Sequence, residues 1–205
     1  MKITGLILAL NESPRITDCL SHLKPFLDYL VVVDGGSVDD TYAKAAALAD
    51  RAVKRKRLGD WCDEKNYIET LAPDDTDWYL HADVDERFHE RLLPEIKTVV
   101  EGVTAKYPET IAFRFPRANL DINCSDYPDY QVRLLKKGSG YKWIRPLHSI
   151  PAIDGVILDT IRGKCMTMLD MPIWHLPRRT DIRRPWWSDE KGRRDKTEEE
   201  MRENE

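Results

Sequence analysis

Three apolar runs, each closing on a polar residue, limit what this chain can become more than any other feature. Ile3-Thr4-Gly5-Leu6-Ile7-Leu8-Ala9 and Tyr29-Leu30-Val31-Val32-Val33 are almost continuously apolar. That is the pattern of strands buried on both faces, not of strands with one wet side. Trp78-Tyr79-Leu80 opens a third run of the same kind. Helix signals fill the gaps between them, so strands alternate with helices and the expected class is α/β with a mainly parallel sheet. In such sheets ligands gather beyond the carboxyl ends of the strands. Asn11, Asp34 and Asp83 each stand just past such an end, so the pattern puts all three on one rim.

The connecting elements follow from local chemistry. Ser13-Pro14 is a helix-start signal, and Pro25 stops that helix near Lys24. An alanine-rich helix is expected over 41–49, a weak strand at 52–53, and a helix over 63–71 capped by Asp63. Another helix is expected over 92–103, with Pro94 in its first turn. The runs 110–115 and 129–135 read as strands. A glycine turn over 136–140 then predicts that 141–144 returns antiparallel. Beyond Leu176 aliphatic residues almost vanish, which divides the chain into a domain over 1–177 and a charged tail over 178–205, helical or partly disordered.

The segment Asp83-Val84-Asp85-Glu86-Arg87 carries the chemistry. Residues two apart on extended backbone point the same way, so Asp83 and Asp85 are expected to face one ligand. Two converging carboxylates repel unless a cation lies between them. Oxygen ligands in an incomplete cage suit Mg²⁺ or Mn²⁺, which complete their shells with substrate phosphates. The residues thus predict a metal-assisted enzyme acting on a nucleotide diphosphate; the bland alternative is a solvated acidic turn after a strand.

Composition narrows the classes. A net charge of -4 over 205 residues argues against a general nucleic-acid binder. Cys19, Cys62, Cys124 and Cys165 are widely spaced with no CxxC pair, which fits reduced thiols rather than a zinc site or disulfide framework. No apolar run approaches the roughly 20 residues that span a bilayer, and Asn11-Glu12 interrupts the first apolar run too early for a leader. The expectation is a soluble, cytoplasmic protein.

With these pieces in place the chain resembles family 2 glycosyltransferases of the GT-A fold, and most of all the small bacterial branch related to lipopolysaccharide-core glucosyltransferases. The matching residues are Leu8-Ala9-Leu10-Asn11-Glu12, Val31 to Thr41 with its Asp34-Gly35-Gly36-Ser37-Val38-Asp39-Asp40 loop, Lys65-Asn66, and Asp83 to Arg87. Tyr127 to Leu135 and Pro146-Leu147-His148 look like the same branch, and the likeness covers roughly residues 2 to 150. Ser149 departs from it, standing where that branch often has Glu.

The resemblance implies a metal-dependent, inverting transferase that moves a sugar from a UDP-linked donor to a glycan, lipid-linked or protein acceptor, with Mn²⁺ or Mg²⁺ as cofactor. Backbone around Ala9, Leu10 and Asn11 would hold the nucleoside, with Asp34 accepting a hydrogen bond from the base. Asp83 would meet the ribose or the metal region, Asp85 would ligate the metal directly, and His175 would be a third ligand or else a packed residue. Lys65 and Arg133 would balance phosphate charge or form ordinary ion pairs. For the base, Asp129 comes first, as an acid after Pro128 at a strand start; Asp126 and His148 are substitutes, and a structural salt bridge is the plain alternative. His81 reads as core. Arg183-Arg184-Pro185-Trp186-Trp187 would be a lid, a peripheral foot on an anionic membrane, or simple packing. The rival functions are a nucleotide-binding module without turnover and a sugar-phosphate nucleotidyltransferase. The latter wants a glycine-rich basic loop after the first strand, and Leu8 to Glu12 is neither glycine-rich nor basic.

Overall fold

Strand β1 (Ile3–Ala9) is buried along nearly its whole length, and its alternate side chains feed two different cores. Ile3 and Ile7 face one side, where helices α1 (Ile16–Leu23), α2 (Thr41–Leu48) and α4 (Leu92–Lys106) bring Ile16, Leu20, Ala45, Leu92, Ile96 and Val100. Leu6 faces the other, where α3 (Trp61–Glu69) contributes Ile68. This double burial is why the strand reads as continuously apolar. Gly5 fits the same crowding: a Cβ there would meet Leu27 Cδ1 at 2.5 Å and Leu30 Cδ1 at 2.8 Å.

The computed structural model describes residues 1–56, 59–120, 128–146 and 148–176. In it β1 pairs in parallel with β2 (Tyr29–Asp34) and with β4 (Trp78–Asp83), and β2 pairs in parallel with β3 (Arg51–Lys54). The second half of the sheet is mixed. β7 (Asp129–Lys136) runs antiparallel to β4 and to β6 (Ala112–Asn119). β12 (Ile173–His175) lies parallel to β6 and antiparallel to the short β5 (Glu86–Phe88), while β11 (Cys165–Thr167) pairs with β6. The nine-stranded sheet therefore runs β3-β2-β1-β4-β7-β6-β12-β5, with β11 off that path. Trp78 against Phe113 and Phe88 against Phe115 close its core with tilted and edge-on aromatic contacts at 5.5 and 6.1 Å.

The α/β expectation holds, and so does the mainly parallel first half. Three local details differ. Helix α3 begins two residues early, because Asp60 and not Asp63 is the cap: its carboxylate accepts from the amides of Cys62 at 2.7 Å and Asp63 at 3.2 Å. The segment expected to fold back on the 129–135 strand instead becomes β8 (Lys142–Ile144), which opens a separate sheet with β9 (Ile150–Ile153) and β10 (Val156–Ile157). It does so because Asn66 of α3 clamps the backbone of Trp143 from both sides, accepting at 3.2 Å and donating at 3.4 Å. Pro25 does end α1, yet the chain tightens into one 3-10 turn over Lys24–Phe26 before leaving. The expectations for Cys124, Asp126, Tyr127, Leu147 and the 178–205 tail, Trp186 and Trp187 included, lie outside the described residues.

Candidate active site

The parallel strands place three expected residues side by side. In the sheet register Ala9 is level with Asp34, and Leu8 is level with Asp83. Asn11, two residues past Ala9, has left-handed backbone (φ 54°), a conformation that Asn tolerates better than most residues. That turn aims Asn11 at the loop after β2. Its amide donates to Ser37 Oγ at 2.8 Å, and its Oδ1 accepts from the Val38 amide at 3.0 Å. Asp34 is buried and organises the same loop, taking the amides of Gly36 at 3.3 Å and Ser37 at 3.1 Å together with the Ser37 hydroxyl. Gly36 has the positive φ (98°) that this tight turn demands. Leu10 lies between the two clamped ends.

The acid turn is built differently from the expectation. Val84 and Asp85 form a turn between β4 and β5, so the backbone is not extended there, and the two carboxylates pair with different side chains. The Glu86 carboxylate closes the turn by accepting from the Asp83 amide at 3.1 Å. Arg87 Nη1 ties down the carbonyls of Val84 and Glu86 at 3.0 and 2.7 Å. Asp83 then meets Arg133 Nη2 at 2.7 Å. Asp85 Oδ2 instead faces Arg15 Nη1 at 3.7 Å and His175 Nε2 at 3.4 Å. His175 arrives by sheet register: β12 sets it level with Glu86, one residue from Asp85. Tertiary structure thus brings Asp85 and His175 together and leaves Asp83 to a different partner.

Behind this turn lies a buried chain of charges. Arg133 forks onto Glu86, with Nε at 2.9 Å and Nη2 at 2.5 Å, while its Nη2 also serves Asp83. Arg117 touches Glu86 at 3.5 Å and holds Asp129 through Nε at 2.9 Å and Nη2 at 2.5 Å. Asp129 also accepts from Gln131 Nε2 at 2.8 Å. The partner of Asp129 is therefore Arg117, its cross-strand neighbour, and not Arg133. Burial pushes the Asp83 carboxyl up, but Arg133 and Lys65 outweigh it and hold the group below the usual carboxylate range. Glu86 is more deeply buried, and there burial wins, raising its pKa against the pull of Arg133. Burial, with Arg133 adding repulsion, pushes Lys65 down from an ordinary 10.5 to about 8 despite the opposing pull of Asp83 and Glu86. Its Nζ stands 3.9 Å over the Trp143 ring. Trp143 Nε1 donates in turn to Glu69 Oε1 at 2.7 Å, an oxygen shared with Tyr141 and with His81 at 2.9 Å. His81 is buried, as expected of a core residue.

Some site residues escaped sequence reasoning. Ser37 had a signal, since Asp34-Gly35-Gly36-Ser37 has the composition of an Asx turn. Arg15, Glu86 and Arg117 had none: each meets its partner across the sheet or from a neighbouring helix. Among the described residues no three His, Cys, Asp or Glu side chains form a ready metal cage. Asp85 and His175 together could hold one divalent ion, the carboxylate suiting Mg²⁺ or Mn²⁺ and the imidazole a transition metal, with water and phosphate oxygens filling the shell.

No family model matches the chain. Over 98 residues it is 35% identical to an uncharacterized glycosyltransferase of Rickettsia conorii and 34% identical to one of Rickettsia felis; each match covers 48% of this chain and 34% of the relative. A TPR repeat-containing protein of Synechococcus elongatus is 25% identical over 151 residues, 73% of this chain and 35% of that protein. The matches thus span about a third of the length of these curated relatives. Among solved structures, a mycobacterial protein shares the fold over 87% of this chain and 68% of its own, with a TM-score of 0.56 and 17% identity. Glucosyl-3-phosphoglycerate synthase from Mycobacterium tuberculosis, solved with Mn²⁺ and UDP-glucose, overlaps 57% of this chain and 43% of its own at a TM-score of 0.43 and 22% identity. The chain is a relative of proteins named glycosyltransferases, as its motifs imply. Among the described residues, no helix is long and apolar enough to cross a membrane.

Proposed function

We propose that this chain is a metal-dependent, inverting glycosyltransferase using a UDP-linked sugar. The observation that carries the reading is the meeting of Asp85 with His175 at 3.4 Å, two residues past the Asp83 strand end that the register sets near that of Asp34. Asp85 and His175 would hold Mn²⁺ or Mg²⁺, and a bound cation supplies Lewis-acid stabilisation of the departing diphosphate. Backbone at Ala9, Leu10 and Asn11 lines the nucleoside, and Asp34 and Ser37 set the shape of that wall. Asp83, fixed by Arg133, takes the ribose side of the metal region. Lys65 offers a positive charge to the phosphates in a half-buried setting where charge counts for more than in water.

Asp129 is the base that takes the acceptor hydroxyl's proton, with Arg117 and Gln131 orienting it. Asp129→Asn is the informative variant, because it keeps the side chain's size and removes the carboxylate that accepts the proton. General-base loss predicts a turnover drop of about 10²- to 10⁴-fold with UDP affinity unchanged; full turnover in Asp129→Asn moves the role elsewhere. For the donor site, Asp85→Ala is expected to abolish Mn²⁺-dependent UDP binding, measured by calorimetry, while the circular dichroism spectrum stays native. Unaltered binding would remove Asp85 from the ligand set. Tight UDP binding with no release of UDP from any nucleotide sugar would favour a binding module without turnover. The acceptor, and any contact with a membrane that carries it, belongs to the same proposal: a glycan, lipid-linked or protein hydroxyl.

A further inference from the structure

Arg15 precedes α1 and carries a feature that the proposed donor chemistry does not use. Its side chain is only 12% exposed, and its Nη1 lies 3.7 Å from Asp85 Oδ2. That distance is too long for a hydrogen bond, and among the described residues this nitrogen has no hydrogen-bond partner. A buried guanidinium nitrogen left unsatisfied is costly. Its neighbours around the acid turn are engaged otherwise. Arg87 bonds the carbonyls of Val84 and Glu86, Arg133 is forked onto Glu86 and Asp83, and Arg117 holds Asp129. Arg15 thus sets a buried, unsatisfied donor beside Asp85.

We propose that Arg15 is the counter-charge that holds Asp85 while no divalent ion is bound, and that its spare Nη1 is reserved for the diphosphate of the donor. This rests on the reading of Asp85 as a ligand of the cation. Two consequences follow from charge alone. A divalent ion approaching Asp85 meets a fixed positive group, so the ion binds weakly by itself. A diphosphate brings negative charge that both the ion and the guanidinium prefer, and Arg suits phosphate oxygens with its fork of donors. Cation and nucleotide therefore bind as a coupled pair, each raising the affinity of the other by the same factor. Arg15 sets the size of that factor.

The test measures Mn²⁺ binding to the full chain without nucleotide, and UDP binding at saturating Mn²⁺, in wild type, Arg15→Ala and Arg15→Gln. Both variants are expected to bind Mn²⁺ alone about tenfold more tightly and UDP about tenfold more weakly, which shrinks the coupling. Arg15→Gln keeps most of the side chain's length and stands in if the alanine variant does not fold. Arg15→Lys keeps the charge and loses the fork, so its Mn²⁺ affinity stays near wild type while UDP binding weakens. Unchanged or weaker Mn²⁺ binding in the neutral variants, unchanged UDP affinity, or no Mn²⁺ binding in any protein overturns the proposal. Asp85→Ala separates the two layers. If that variant still binds Mn²⁺ like wild type, the cation site itself is misplaced. If it loses Mn²⁺ while Arg15→Ala gains none, only the role of Arg15 falls.

Discussion

Two acidic loops share the rim of the sheet and are neutralised by opposite means. The loop after β2 is self-contained: Asp34 is satisfied by amides and a hydroxyl two and three residues ahead, and Asn11 pins the result from the neighbouring strand. The turn after β4 imports its partners. Arg133 reaches Asp83 and Glu86 across 50 and 47 residues of sequence, Arg117 reaches Glu86 across 31, and Arg15 and His175 come from the start and end of the described chain. A carboxylate served by backbone amides has a permanent, uncharged environment. One served by guanidinium groups depends on the whole sheet being assembled, and its charge balance shifts when a ligand or cation arrives. Under the proposed function, the first would be a fixed wall for the nucleoside and the second the part that accepts and releases a diphosphate with its metal.

The largest effect should come from breaking the imported network. Glu86→Ala strands Arg133 as a buried, half-paired charge, and removing one partner of a buried pair costs about 3–5 kcal/mol. Urea unfolding is the measure. The double variant Glu86→Leu/Arg133→Met should recover much of the loss, because it removes both charges at once; no recovery would mean that the pair does more than neutralise itself. Next in size is a pH effect. With Lys65 held near 8, its charge fades between pH 7 and 9, so UDP affinity should fall several-fold over that range in wild type and stay flat in Lys65→Met. Stability moves the other way. The unfolded chain keeps its lysine protonated up to about 10.5, so between pH 8 and 10.5 it binds more protons than the native state. The cost of burying Lys65 is therefore present below pH 8 and relieved as pH rises through that window. Lys65→Met should stabilise the protein most at neutral pH, and equal gains at pH 7 and 10 would refute the depressed pKa. The smallest effect belongs to the self-contained loop: Ser37→Ala removes one hydroxyl and should cost about 1 kcal/mol, with a modest loss of UDP affinity and no change in Mn²⁺ binding. A large Mn²⁺ effect there would erase the contrast between the two loops.

The sequence by itself determined the class of fold, the strands β1, β2 and β4, and the rim on which Asn11, Asp34 and Asp83 stand. Two-faced burial writes itself into composition, and parallel order then fixes which strand ends are neighbours. It also carried the Asp34 loop, because every partner lies within a few residues or on the adjacent strand. It did not carry the turn at Val84 and Asp85, since strand alternation says nothing about a turn closed by the Glu86 side chain. It sent 141–144 back against β7 because the clamp from Asn66 is a contact 77 residues long. Only the tertiary structure decided that Asp83 belongs to Arg133 and Asp85 to Arg15 and His175. Periodicity records which face of an element is buried; which buried charge meets which is settled by register between strands far apart in the chain.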